Sequence, residues 1–442
     1  MLSLFALICL LVTIQLVYPF VTVLFAQLFG HEKHGQKAIH QFARRSISPP
    51  PKAKASRSEG ESPTTNPPIT NYQSTNHHFA CIITAYRNAA IARPLVESLR
   101  CQSHPNLTIY LVADECPDFD FGISDKRFVI LRPTKPLRLK VKSLLHAIEN
   151  FRLPHDYVVV FDADNLAHSQ FLEEINHYTN LGFRCIQGQR LAKNLDTTYA
   201  ALDSMGEHYK NYIEREVPFR LGGSAVISGS GMATETSLYK AYLASPDIEQ
   251  GKEQGKKMLQ EDKILQNFLL RRGERIAYAR QAIVYDEKVE TGEAVETQRS
   301  RWLYSYFQNI PNALGIFWRG LSGLNFNQLY FGFVTLVLPM FIQVSLAICC
   351  AGLAIVVAPI WAAVLVAGLA VFSMNILWSL RLDSAPPAVW NALWQVPKFL
   401  LRQFASLIKI RDPKKNFKHT EHRKIVSVDD VVGKSSEPKR KS

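Results

Sequence analysis

Tyr157-Val158-Val159-Val160-Phe161-Asp162-Ala163-Asp164-Asn165 is the stretch on which the reading of this chain turns. An apolar, β-branched run predicts a buried strand, and two carboxylates follow at its exit. Side chains alternate with period two in extended backbone, so Asp162 and Asp164 point the same way. Working outward, the apolar form recurs at Ala80-Cys81-Ile82-Ile83-Thr84, Thr108-Ile109-Tyr110-Leu111-Val112 and Arg127-Phe128-Val129-Ile130-Leu131. Helical patterns at 90–100 and 142–150 fall between these runs. The alternation predicts an α/β fold with parallel strands, whose ligands gather at the carboxyl ends.

The chain has 442 residues, 47% hydrophobic and 20% charged, with a formal net charge of +13. Such a charge favours an anionic partner. Much of the basic excess flanks apolar segments, which favours membrane lipids over nucleic acid. No zinc-finger spacing or nucleic-acid motif is present. The seven cysteines are scattered with no CxxC pair, which suits buried thiols rather than a disulfide framework. Asn106-Leu107-Thr108 has the form of a glycosylation sequon, a coincidence of residues if the domain is cytosolic.

Residues 1–30 are almost continuously apolar and uncharged, enough for an uncleaved transmembrane anchor. The stretch 31–79, with Pro49-Pro50-Pro51 and Pro67-Pro68, reads as a flexible tether. Residues 80–318 hold the α/β domain. No charge occurs between Arg319 and Arg381, room for two membrane passes in 319–382, with Pro339 kinking the first and a turn at Ala358-Pro359. The mixture of Trp390, Trp394, Lys398 and Arg402 in 383–412 predicts an amphipathic interface helix, and 413–442 a basic tail. Lys33, Lys37, Arg44 and Arg45 after the first span, and Arg381 after the last, place both flanks on the cytoplasmic side. The expectation is an integral membrane protein with a cytosolic catalytic domain, as in a bacterial inner membrane.

Asp162 and Asp164 suit Mg²⁺ or Mn²⁺, hard ions that take oxygen ligands, although an Asp-x-Asp also caps helices. Asp114 ends another strand, where a turn or cap role is as good a reading as a nucleotide contact. Gln260-Glu261-Asp262 opens a helical pattern, and by itself is an ordinary acidic helix start. Gln298-Arg299-Ser300-Arg301-Trp302 offers guanidinium groups for phosphate and an indole for a sugar or base, or else is a membrane-proximal basic-aromatic stretch. Gly222-Gly223-Ser224 and Gly229-Ser230-Gly231 form neither a Rossmann nor a Walker fingerprint, which leaves dehydrogenase and ATPase readings unsupported.

Taken in order from Cys81 to Trp302, with Gln187-Gly188 and Gly229-Ser230-Gly231, these residues resemble the family 2 inverting glycosyltransferases, the group of cellulose, chitin and hyaluronan synthases. The resemblance implies a GT-A fold and a nucleotide-diphosphate sugar donor, most often a uridine one. It implies that Asp114 contacts the nucleotide, Asp162 the donor and also the metal, and that Asp164 ligates the metal. Asp262 becomes the general base, while Gln298, Arg301 and Trp302 close over the diphosphate and acceptor. Lys140 matches a lysine often found before the second helix. Tyr86-Arg87-Asn88 departs from the family's Asn-Glu. Two passes after the domain are fewer than in polymer-extruding synthases, so a glycan or lipid-linked acceptor and partner subunits are expected. The competing expectation is a catalytically silent membrane scaffold or polysaccharide-binding subunit.

Overall fold

Period-two burial builds the centre of the molecule. In the computed structural model, which describes residues 2–30, 75–253, 260–400 and position 431, the first central strand is Phe79–Tyr86. Its Cys81, Ile83 and Ala85 pack on one side with Leu95, Val96 and Leu99, and its Ala80 and Ile82 on the other with Val141, Leu144 and Ala147. Both faces are covered by helices, so the strands are apolar throughout.

The elements run in order as α1 (Leu2–Phe29), β1 (Phe79–Tyr86), α2 (Arg93–Arg100), β2 (Leu107–Asp114), β3 (Phe128–Leu131), α3 (Lys140–Glu149), β4 (Tyr157–Asp162), β5 (Leu166–Ala167), α4 (Phe171–Asn180), β6 (Cys185–Ala192), α5 (Thr198–Lys210), a π-helical turn (Asn211–Glu216), α6 (Val217–Arg220), β7 (Met232–Glu235), α7 (Thr236–Leu243), α8 (Pro246–Glu253), α9 (Glu261–Arg271), β8 (Ile276–Asp286), α10 (Gly292–Ser322), α11 (Phe326–Leu336), α12 (Met340–Val357), α13 (Pro359–Leu382) and α14 (Pro387–Ala392). The eight strands form one sheet in the order β3-β2-β1-β4-β7-β6-β8-β5.

The sheet is mixed, which corrects the expectation of parallel strands. β3, β2, β1 and β4 are parallel, as helical crossovers require. β7 then runs antiparallel to both β4 and β6, and β6 parallel to β8. Because β7 is reversed, the loop leading into it reaches the same edge as the carboxyl ends of β1, β2, β4, β6 and β8. The register pairs Tyr86 with Asp114 and Thr84 with Asp162, so both acids stand at that edge with β1 between them.

Among the described residues three helices, α1, α12 and α13, are long and apolar enough to cross a membrane. The charge-free stretch holds a third helix as well, since α11 precedes the first of its two passes. Pro339 does not kink a pass. It caps the start of α12, with Val337 extended before it. Val337 already leaves the helical conformation and Pro339 has no N–H with which to continue the helix, so the chain turns between them. α11 instead buries Phe331 and Val334 against the sheet domain. The turn at Ala358-Pro359 forms as expected. Lys33, Lys37, Arg44 and Arg45 in the tether, Arg402 in the interface segment and, apart from position 431, the 413–442 tail lie outside the described residues.

Polar contacts tie the apolar helices to the sheet domain. Asp383, immediately after α13, is buried and bonds His208 Nδ1 at 2.7 Å and Gln189 Nε2 at 3.1 Å. Arg220 donates to the Gly30 carbonyl at 2.6 Å, and Arg280 to that of Leu382 at 2.7 Å. All seven cysteines are free thiols.

Candidate active site

Lys140 begins α3, where the positive end of the helix macrodipole disfavours a cation. It is held there by acids from elsewhere. Its Nζ donates to Asp162 Oδ1 at 2.7 Å and to the Gly229 carbonyl at 2.9 Å, and lies 3.7 Å from Glu261 Oε1. Burial works against the ammonium ion, yet Asp162, Glu261 and Asp262 together outweigh it and hold its pKa above the ordinary value. Glu261 responds oppositely. Burial pushes its carboxyl up, with Lys140 opposing and Asp262 reinforcing the shift. One ammonium group thus faces three carboxylates from β4 and α9.

Asp262 sits in the first turn of α9, and its Oδ1 accepts the Lys263 backbone N–H at 2.8 Å. Gly229 lies beside it with φ +81°, and a Cβ there would come within 3.6 Å of the Asp262 Cβ. The approach loop to β7 is fixed from below by Gln187. Its amide donates to the Gly188 and Ser230 carbonyls, and its oxygen accepts Ser228 N–H at 3.0 Å. Gly231, at φ +61°, has no room for a side chain, since a Cβ would meet Val284 Cγ1 at 2.5 Å. The Gly-Ser-Gly motif therefore presses a backbone turn against the acids.

Asp162 and Asn165 close a turn, with Asn165 Oδ1 accepting Asp162 N–H at 3.0 Å. The Asp164 carbonyl accepts Lys193 Nζ at 3.0 Å, and its half-exposed side chain lines the cavity. Asp114 is brought to the same wall but is buried, and its two carboxylate oxygens accept the Leu137 and Arg138 N–H groups at 2.9 and 2.6 Å. It shapes the 137–138 loop, and keeps lone pairs for a further donor.

Gln298, Arg301 and Trp302 belong to α10, a continuous helix rather than a loop. Burial pulls the Arg301 guanidinium below its ordinary pKa, with Glu261 opposing. The Trp302 ring is within 4.6 Å of the Arg299 guanidinium and 5.0 Å of Lys210 Nζ, so cations already lie over the indole. All eight residues singled out by sequence, Asp114, Lys140, Asp162, Asp164, Asp262, Gln298, Arg301 and Trp302, line one cavity of about 1830 Å³.

Sequence reasoning missed a second layer. Asp286 ends β8 and pairs with Arg190, whose guanidinium also donates to the Ser228 carbonyl at 3.0 Å. Lys288 Nζ bridges Asp286 Oδ1 at 3.0 Å and Glu207 at 3.4 Å. Burial works against the Glu207 carboxylate, yet Lys288, Arg190 and Arg215 around it hold its pKa below the ordinary value. Ala282-Ile283-Val284-Tyr285-Asp286 repeats the strand-then-acid form, a signal that marks Asp286 as it marked Asp162. Lys210 and Glu261 carried no such signal.

The arrangement combines hard oxygen donors, buried cations and a glycine turn at one sheet edge. It can bind a polyanion and place a carboxylate beside it. Among the described residues no three His, Cys, Asp or Glu side chains converge to hold a metal unaided. The donor set fits the alternative, in which one or two carboxylates bind an ion that arrives with a diphosphate.

The profile of the family described as "Glycosyltransferase like family 2" matches residues 77–305. No curated protein matches the chain. Among solved structures, the chain is similar to the mannosyltransferase PcManGT from Pyrobaculum calidifontis, determined in complex with GDP-Man and Mn²⁺. The TM-score is 0.50 at 13% identity, over 89% of this chain and 98% of that one. TarS 1–349 of S. aureus matches at a TM-score of 0.36 and 13% identity, over 54% of this chain and 65% of that one. The profile covers just over half of the sequence, and the mixed sheet is that of a GT-A fold: the chain belongs to glycosyltransferase family 2.

Proposed function

We propose that the chain transfers one sugar from a nucleotide-diphosphate donor to a glycan or lipid-linked acceptor, with inversion, at a membrane surface. What carries the proposal is the ring of Asp162, Glu261 and Asp262 around Lys140, at the edge where the family places its donor. Asp262 accepts the proton of the acceptor hydroxyl. The acceptor oxygen bonds to the anomeric carbon as the bond to the diphosphate breaks, and the electron pair leaves with the nucleoside diphosphate. Arg301 balances charge building on that leaving group. Lys140 holds Asp162 in place, and Asp114 fixes the loop beside the nucleotide. Gln298 and Trp302 close the acceptor side.

Asp164, with Asp162 beside it, would hold Mg²⁺ or Mn²⁺, which supplies positive charge to the departing diphosphate. The basic residues flanking the spans support a cytosolic catalytic domain in an integral membrane protein. The donor panel should carry both uridine and guanosine diphosphate sugars, since the mannosyltransferase of similar fold binds GDP-Man.

Asp262→Asn tests the assignment. Sugar transfer should fall by about two to four powers of ten while nucleotide affinity, measured by calorimetry, stays within about threefold. Near-normal turnover by this variant removes Asp262 from the base role.

A further inference from the structure

The cavity does not end at the acids. It continues between helices long enough to cross a membrane, where Met340 and Val344 of α12 and Leu369, Phe372 and Ile376 of α13 form its walls. At about 1830 Å³ it exceeds the roughly 300–1,000 Å³ of an ordinary ligand site. A soluble sugar bound beside Asp262 would leave those apolar walls against water. A hydrocarbon chain would remove them from it.

A second feature runs between the two ends. Gln298 and Asn309 lie eleven positions apart on α10, about 16 Å along the helix. Both line the cavity, and both have a buried amide oxygen with no hydrogen-bond partner among the described residues. Gln343 on α12 repeats this at the apolar end. It is 3% exposed, and its Nε2 donates to the Leu338 carbonyl at 2.7 Å, which fixes which end of the amide is the oxygen. Buried acceptors without donors are costly, so a ligand that brings hydroxyl or N–H groups suits this wall. A fully ionised, unsubstituted phosphate brings acceptors only. A sugar brings several hydroxyls.

The geometry points to a membrane glycolipid as the acceptor: its chain lies between α12 and α13, and its hydroxylated headgroup extends along α10 toward Asp262. This rests on the sugar-transfer reading above and names its substrate class. The reacting headgroup hydroxyl gives its proton to Asp262, its oxygen takes the anomeric carbon, and the nucleoside diphosphate leaves with the bonding pair.

The test uses the purified full chain in lipid nanodiscs. A dodecyl glucoside bearing a diazirine on the alkyl chain is photolysed, and the labelled peptides are mapped by mass spectrometry. Labelling within 340–344 and 369–376 that excess unlabelled dodecyl glucoside removes is expected. Labelling confined to outward positions such as Val356 and Ile360, or not displaced by competitor, overturns the inference. In the activity arm, kcat/KM for alkyl glucosides rises about two- to fourfold per added methylene from butyl to dodecyl. Soluble disaccharides used as well as the dodecyl glucoside overturn it. Wild type prefers dodecyl glucoside to dodecanol, and Asn309→Leu, on the α10 wall assigned to the headgroup, narrows that preference by about tenfold. An unchanged preference rejects the amide ladder as the headgroup site. Nucleotide calorimetry runs separately. No binding of uridine or guanosine diphosphate refutes the sugar-transfer reading, while the photolabelling still decides where the lipid sits.

Discussion

Lys140→Met removes one charge at nearly constant volume and leaves Asp162, Glu261 and Asp262 facing one another. Breaking a buried ion pair costs about 3–5 kcal/mol. Here the Asp162 side chain is 41% exposed, so its share is screened, whereas Glu261 is 19% exposed. A loss of about 2–3 kcal/mol follows. At about 2–4 °C per kcal/mol, the apparent melting temperature falls by about 5–10 °C. Donor binding suffers as well. One uncompensated negative charge about 6 Å from a diphosphate, at an effective dielectric near 20, costs about 3 kcal/mol, or about a hundredfold in affinity.

The stability loss depends on pH with a defined sign. Burial already raises the Glu261 carboxyl above its ordinary value, and removing Lys140 removes the main opposing influence. Glu261 then takes up a proton in the folded state as pH falls, so the loss is smaller at pH 5 than at pH 8. Adding Asp162→Asn to Lys140→Met should recover about 1 kcal/mol, because one of the repelling carboxylates is gone. The assays are thermal melting in detergent at both pH values and calorimetry with nucleoside diphosphate and Mn²⁺. A variant that melts within 1 °C (on the order of the measurement error) and binds nucleotide as the wild type does refutes the account of Lys140.

Two further outcomes follow from geometry away from the charge ring. Gly231→Ala places a Cβ at φ +61° and 2.5 Å from Val284 Cγ1, for a loss of about 2–4 kcal/mol by thermal melting. Val284→Ala in the same chain should restore the packing part only, and full recovery would show that backbone conformation contributes nothing. Asp125 accepts hydrogen bonds from the Arg127 side chain and backbone and from Arg100 Nε at 3.1 Å, which hold its carboxyl well below the ordinary range. Its stabilisation is present above the ordinary value of 3.8 and is lost as pH falls through the depressed folded value. The gap of about 1–3 kcal/mol between wild type and Asp125→Asn should be full at neutral pH and close only in acid, and a gap that widens in acid is incompatible with it.

The sequence by itself determined what depends on local pattern. Apolar runs marked β1, β2, β3 and β4, uncharged stretches marked α1, α12 and α13, and acids after strands marked Asp114 and Asp162. These signals are legible because side-chain alternation and hydrophobic length act within a few residues. Lys140, Asp262 and the Gln298–Trp302 pentapeptide were weak locally and gained meaning only from their order along the chain.

Tertiary structure decided what depends on residues distant in sequence. Reversal of β7 brings the Gly229–Gly231 turn to the acids, and no local pattern specifies the direction of a strand reached by a long helical excursion. Lys140 at a helix start looks unfavourable until Asp162 and Glu261 approach it. Glu261, adjacent to the proposed base, looks like any helix-opening acid until burial raises its carboxyl. Asp114 reads equally as a turn residue or a nucleotide contact until its oxygens are seen to accept the Leu137 and Arg138 N–H groups. The lower end of the cavity belongs to helices whose sequence says only that they are apolar. Where they meet the sheet domain is set by Asp383, His208 and Gln189, which are far apart along the chain and joined only by folding.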